Sequence, residues 1–310
     1  MSTQLEAGTL WRKLVDRTES AIACGALQRI ETEHETLRQG GLPFVVRVAT
    51  NLKRKAEERR ERAQTDPTGG REFNPFLPPE AELTVAEISD SHLALLNKFN
   101  VVERHLLIVT RAFEHQERLL TQADFEALWL CLREYPSLGF YNGGAAAGAS
   151  QKHKHLQLVP LPLYPGQGGF PLEDLYTSTP PWEGIQRLKP LPFPHAWSRL
   201  PVGLDQDPTE AAAHSLALYR RMLNETGIRM LTGTDGERQA APYNLLMTQE
   251  WMLLVPRSRE FSHGISVNAL GYVGSLFVKD EQGLETLRHL GPMQLLRDVS
   301  VARILPRRSP

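Results

Sequence analysis

Straight after the small-residue run Gly143-Gly-Ala-Ala-Ala-Gly-Ala149, the chain reads Ser150-Gln-Lys-His-Lys-His-Leu-Gln-Leu158. No other stretch constrains the fold as tightly. Side chains of a strand alternate between its two faces. A strand here puts His153, His155 and Gln157 on one face and Lys152, Lys154, Leu156 and Leu158 on the other. Glycine and alanine before it let a backbone approach a ligand closely. An isolated His-x-His pair is more often packed than functional. In this chain the small-residue loop, the uncharged donors Ser150 and Gln151, and the neutral Gln157 weigh against that reading. Together they describe a phosphate site, in which backbone N–H groups and hydroxyls hold phosphate oxygens and a neutral imidazole attacks phosphorus. His-x-His on a strand can also chelate zinc, but the neighbouring run has no acidic or cysteine ligand to complete a tetrahedron, so no metal site is expected.

The rest of the chain is compatible with a large folded unit. Its 310 residues exceed what one core usually fills, favouring two lobes or one large α/β-type unit. Lys plus Arg (35) and Asp plus Glu (36) nearly cancel, so no global basic field exists to hold nucleic acid, and a polyanion would need a local positive site. Two cysteines, Cys24 and Cys131, build no disulfide framework, and no window reaches the length of a membrane span, which together favour a cytoplasmic setting.

Apolar spacing from Thr9 to Leu37 predicts a helix stopped at Gly40-Gly41, followed by a strand over 44–50 and a charged run over 53–62, read as a solvated helix or loop. Asp66-Pro-Thr-Gly-Gly70 breaks the chain. Asn74-Pro-Phe-Leu-Pro-Pro79 is a rigid segment suited either to packing or to lining a ligand. Strands are expected at 105–110 and 138–142, a helix from the Thr121 cap to near Pro136, and an irregular proline-dense excursion over 158–201. A helix over 210–223 and a hairpin of 243–248 with 251–256 follow. His105-Leu-Leu-Ile-Val-Thr-Arg111 is echoed by Trp251-Met-Leu-Leu-Val-Pro-Arg257, which suggests two related halves.

The segment Gly148-Ala-Ser-Gln-Lys-His-Lys-His-Leu-Gln157 resembles the His-x-His-x-Gln signature of the histidine-triad superfamily. It is most similar to that of the ATP adenylyltransferases, also called diadenosine tetraphosphate phosphorylases. The likeness runs from Asn74-Pro-Phe76 through Asn97-Lys98 and His105–Thr110 to Tyr243-Asn-Leu-Leu246, Asn268–Gly274 and Lys279.

The resemblance implies an α+β fold of the histidine-triad type, a mainly antiparallel sheet with flanking helices. It implies one unit over 1–310, with a catalytic N-terminal part (1–200) and a C-terminal part (201–310). His155 becomes the nucleophile, with His153 and Gln157 as its catalytic companions. Substrate contacts fall on Lys53 (with Arg54 and Lys55 as neighbours), Asn97, Lys98, Asn142, Gly148, Ala149, Ser150, Gln151, Gln157, Asn268, Ala269, Leu270 and Lys279. Ser275 stands where yeast-like members carry methionine.

The implied partners are dinucleoside polyphosphates, ATP, ADP and phosphate, with sulfate as an alternative acceptor. No covalent cofactor is implied; a divalent cation such as magnesium would accompany the nucleotide, and a monomer is the simplest assembly. A hexose-1-phosphate uridylyltransferase shares the motif but typically adds Cys/His metal ligands. A non-catalytic dinucleotide sensor is the other alternative.

Overall fold

A computed structural model of the chain describes residues 3–49, 73–164, 168–178, 184–233 and 236–301. Helix α1 (Leu10–Ala23) buries Leu10, Leu14, Thr18 and Ala21, a stripe at three- and four-residue spacing. It stops there, well short of the expected Leu37. Gly25 takes the left-handed conformation (φ 78°), and Thr32–Gln39 forms strand β1, paired antiparallel with β2 (Leu42–Ala49). Gly40 and Gly41, read as a helix stop, both have positive φ and make the two-residue hairpin turn between these strands. The charged run 53–62 lies outside the described residues.

Strands β3 (Thr84–Glu87), β4 (His92–Leu96), β5 (Leu106–Thr110), β6 (Ser137–Gly143), β7 (His155–Pro160), β8 (Ala196–Arg199), β11 (Tyr243–Met247) and β12 (Trp251–Pro256) form one sheet in the order β3-β4-β5-β7-β6-β11-β12-β8. Every pairing in it is antiparallel. The 243–256 segment is the expected hairpin. Between β8 and β11 in sequence come β9 (Met230–Gly233) and β10 (Gly236–Gln239), which pair with each other, β10 also bridging through Arg238 to Arg118.

One sheet face carries helices α2 (Gln122–Leu132) and α4 (Pro208–Glu225), joined by Trp129 Nε1 donating to Ser215 Oγ at 2.9 Å. Leu106, Ile108, Leu156, Leu158 and Leu254 pack beneath them. Thr121 and Asp124 cap α2 reciprocally, as the Thr121 signal in the sequence implies. The opposite face carries a small sheet in the order β1-β2-β15, where β15 is Ser275–Val278, together with the helices α5 (Glu281–Leu290) and α6 (Pro292–Val299). Between β12 and β15 lie the short strands β13 (Phe261–Ser262) and β14 (Ile265–Ser266).

Among its described residues, the proline-dense excursion is irregular apart from the end of β7, the one-turn helix α3 (Glu173–Thr177) and β8. It is packed, with Leu163, Tyr164, Phe170, Tyr176 and Phe193 in the core of this second face. The two echoed arginines have different surroundings: Arg257 is 1% exposed, whereas Arg111 is bonded at the surface to Ser89 and Gln4. No helix among the described residues is long and apolar enough to cross a membrane.

Candidate active site

A cleft of about 1020 Å³ opens over the second face of the large sheet. Its floor is β7 and β5. The alternation of β7 sends Leu156 and Leu158 under the helices, while His155 and Gln157 face the cleft. Phe73, Pro75 and Phe76 form one wall, Asn97, Lys98 and His105 another, and Ser266 to Phe277 the far side.

His155 is buried and its tautomer is fixed. Its Nδ1 lies 2.8 Å from the carbonyl oxygen of His153. A carbonyl can only accept, so Nδ1 carries the proton and Nε2 presents its lone pair. Burial holds the imidazole's pKa down at about 4, a hydrogen bond to the His153 carbonyl working partly against that and the neighbouring His153 ring adding to it. A neutral nucleophile is therefore ready at ordinary pH.

The His155 backbone is gripped by a residue distant in sequence. Pairing of β6 with β7 ends at Phe140 and Gln157, and the 2%-exposed Gln116 fills the gap beyond it. His155 N–H donates to Gln116 Oε1 at 2.8 Å, and Gln116 Nε2 donates to the carbonyls of Asn142 (2.9 Å) and His155 (3.2 Å). One carboxamide thus does the work of the missing peptide pairing. Asn142 is set from the other side: its Oδ1 accepts from Asn244 Nδ2 (2.8 Å) and from Ala269 N (3.1 Å). Arg257 anchors this network, donating to Asn244 Oδ1 at 2.5 Å and to the Val267 carbonyl at 2.8 Å.

The small-residue loop closes against the C-terminal wall. Gly148 has φ 94°, and a Cβ placed there would stand 3.0 Å from Asn268 Cβ and 3.1 Å from Val267 O. Both the backbone conformation and the close approach require glycine. Ser150 and Gln151, two and three residues on, reach the cleft.

Family models match nearly the whole chain: an Ap4A phosphorylase N-terminal domain over residues 1–178 and an ATP adenylyltransferase C-terminal domain over 189–302. The chain belongs to the Ap4A phosphorylase family. It is 33% identical over 252 residues to diadenosine 5',5'''-P1,P4-tetraphosphate phosphorylase 2 of Saccharomyces cerevisiae, covering 72% of this chain and 75% of that one. The fold matches the crystal structure of yeast Ap4A phosphorylase Apa2 with a TM-score of 0.76 at 26% identity, over 96% of this chain and 98% of that one. The Apa2 complex with Ap4A matches at a TM-score of 0.73, 26% identity and the same coverages of 96% and 98%.

Of the contacts that the family resemblance implies, Asn97, Lys98, Asn142, Gly148, Ser150, Gln151, His155, Gln157, Asn268, Leu270 and Ser275 converge on the cleft. Lys53 lies outside the described residues. Lys279 is exposed in the link between β15 and α5 and is not among the residues that line the cleft. Ala149 N–H donates to Gly144 O (3.2 Å) inside the loop, and Ala269 serves by its bond to Asn142.

His153, expected as a catalytic companion of His155, offers no ring nitrogen to the substrate. Its Nε2 donates to the Thr110 carbonyl at 2.8 Å and its Nδ1 accepts from Asn74 Nδ2 at 3.0 Å, leaving no free ring nitrogen. Asn74 Oδ1 accepts from Phe76 N–H, which fixes the orientation of that amide. His153 acts on His155 through its carbonyl. The segment 74–79 both packs and lines: Phe76 touches the His153 and His155 rings, with centroids 5.6 and 5.4 Å away.

Sequence reasoning missed Gln116 and Arg47. Arg47 lies over the Tyr164 ring at 4.4 Å, and Tyr164 in turn bonds Ser275 Oγ at 2.6 Å, so a cation borders the cleft from β2. A lone arginine inside the β-branched strand 44–50 was its only sequence signal. Lys98 is engaged by Glu80 at 2.7 and 2.8 Å.

Proposed function

We propose that this cleft performs reversible phosphorolysis of diadenosine tetraphosphate through an adenylyl group carried on His155. The observation that supports it best is the imidazole itself: Nδ1–H bound to the His153 carbonyl, with Nε2 free beside Gln157 and the glycine loop. In the forward direction the Nε2 lone pair forms a bond to the α-phosphorus, and the bond from that phosphorus to the bridging oxygen breaks, releasing ATP. An oxygen of inorganic phosphate then attacks the same phosphorus. The P–N bond breaks, ADP leaves, and His155 returns neutral.

A polyphosphate leaves without much help from a general acid, so the site must mainly align the reactants and neutralise oxygen charge. Gln157, Ser150 and Gln151 supply donors for that purpose. Gln157 cannot take a proton from water as an imidazole could, which favours phosphate as acceptor. Among the described residues no group of three His, Cys, Asp or Glu is arranged to hold a metal, and the carboxylate on the cleft wall, Glu80, is tied to Lys98. The several negative charges of the substrate would bring a magnesium ion with the polyphosphate. The two free cysteines, Cys131 buried and Cys24 exposed, are in keeping with a reducing cytoplasm.

The test is product analysis by anion-exchange chromatography. With phosphate, diadenosine tetraphosphate should be converted to ADP and ATP in equal amounts; without it, conversion should stop after at most one adenylyl group per protein. Steady release of AMP without phosphate would replace this reading with a hydrolase.

The pH profile should carry the histidine's signature. Because the folded His155 pKa lies near 4, below the usual value near 6.5, its lone pair stays available as pH falls through 6.5 and is lost only as pH passes about 4. The acid limb of kcat/KM is thus expected near pH 4, with circular dichroism on the same samples separating it from acid unfolding. A limb at 6.5 would mean that the nucleophile is solvated.

A further inference from the structure

A third buried imidazole stands beside His155 and Gln157 with no part in the steps above. His105, immediately before β5, is 8% exposed and borders the cleft. The β5–β7 register sets Leu107 opposite Gln157. His105, two residues back and on the same face, is the diagonal neighbour of Gln157.

Its ring is held on one side: Asn97 Nδ2 lies 3.1 Å from His105 Nδ1, Asn97 N–H donates to the His105 carbonyl at 2.9 Å, and the ring packs on Phe140 at 5.7 Å. An amide nitrogen only donates, so Nδ1 accepts and Nε2 carries the proton. That Nε2–H is buried without a hydrogen-bond partner. Burial keeps the ring neutral, with a pKa of about 4, while the Gln157 side chain pulls it upward and His155 pushes it down, so both lie close to it. The approach of the Gln157 amide stops short of full hydrogen-bond geometry. The terminal torsion of Gln157 is soft, so its amide can turn toward this donor.

We propose that His105 is a positioning residue for Gln157, its Nε2–H donating to Gln157 Oε1 and so turning the amide nitrogen toward the phosphoryl oxygens at His155. Asn97 sets the tautomer, His105 sets the amide, and the amide meets the charge that develops in the transition state. With the amide reversed, its oxygen would face phosphoryl oxygens and repel them. The histidine motif places an amide where a third imidazole could stand, and β5 supplies an imidazole behind it.

This inference rests on the phosphorolysis reading, and a double-mutant cycle tests it. His105→Phe keeps the ring and removes the donor; it should lower kcat by about 10–100-fold with KM for diadenosine tetraphosphate changed by less than about 3-fold. Gln157→Ala should lower kcat similarly, and the double variant should be no slower than Gln157→Ala alone, because His105 acts only through that amide. Multiplying losses in the double variant would overturn the proposal. His105→Gln, which can still donate, should recover most of the activity, and it replaces His105→Phe in the cycle if the latter melts early.

If the wild-type protein fails to turn over, the phosphorolysis reading falls, and the pair is then judged by NMR. A ring proton on His105 Nε2 and a shift of the Gln157 side-chain amide resonances in His105→Phe sustain the proposal; a proton on Nδ1 overturns it.

Discussion

Replacing His155 with alanine should lower phosphorolysis of diadenosine tetraphosphate by roughly 10⁴–10⁶-fold, the scale seen when a covalent nucleophile is deleted. No other described residue of the cleft can take over its part. His153 has both ring nitrogens committed, to Thr110 and Asn74, and His105 is held behind Gln157 with its Nδ1 facing Asn97. The fold should survive the change, because the bonds that hold position 155 are made by the backbone to Gln116, and those remain. The substitution removes one side-chain hydrogen bond and the contact with Phe76, a loss of about 1–3 kcal/mol. Two readings check the prediction together: a melting curve within several degrees of wild type, and mass spectrometry after incubation with substrate. Wild type should gain one adenylyl mass, and His155→Ala none. An adduct on the variant would move the nucleophile elsewhere and sink the mechanism.

What could be read in the sequence and what could not divides along the range of the interactions involved. The β7 alternation, the α2 cap and the 243–256 hairpin are set by neighbours within a few residues, so local pattern located them. Thr32–Gln39 is a strand despite its helical spacing because its pairing with β2 decides its state, and apolar spacing in a short window is a weak signal against a strand partner. Gln116 was invisible for a stronger reason. Nothing in its own neighbourhood distinguishes it from a surface glutamine, and its role exists only because β6 and β7 part beyond Gln157. Arg47, Asn74 and Thr110 are likewise defined by contacts across the fold. His153 shows the converse: the motif marks it, yet packing commits both its nitrogens to holding the nucleophile strand.

The largest effect on stability should come from Lys154, between the two motif histidines and on the other face of the strand. It is fully buried, with Nζ 2.6 Å from Asp124 Oδ2, 3.0 Å from the Leu119 carbonyl and 3.2 Å from Glu114 Oε2. Asp124, 1% exposed, also receives His92 Nε2 at 3.1 Å and caps α2. Lys154→Met conserves length and apolar stem but strands the Asp124 carboxylate in the core; breaking one side of such a pair costs about 3–5 kcal/mol. For a chain of this size that lowers the melting temperature by roughly 6–20 °C.

The pH dependence has a definite sign. Burial alone would raise the Asp124 pKa, but the Lys154 charge and the His92 contact outweigh it and hold the carboxyl below its usual range. A depressed carboxylate pKa contributes stability that is present above the unfolded value, about 3.9, and is lost as pH falls toward the folded one. The gap in melting temperature between wild type and Lys154→Met should therefore be full at neutral pH and narrow below about pH 4. Adding Asp124→Asn should cost less in the Lys154→Met background than in wild type, because the carboxylate it removes has already lost its lysine partner there. Equal costs in both backgrounds would show that the two side chains are not coupled. Turnover should fall along with stability, since the Lys154 carbonyl also receives Thr110 N–H, on the residue that fixes His153.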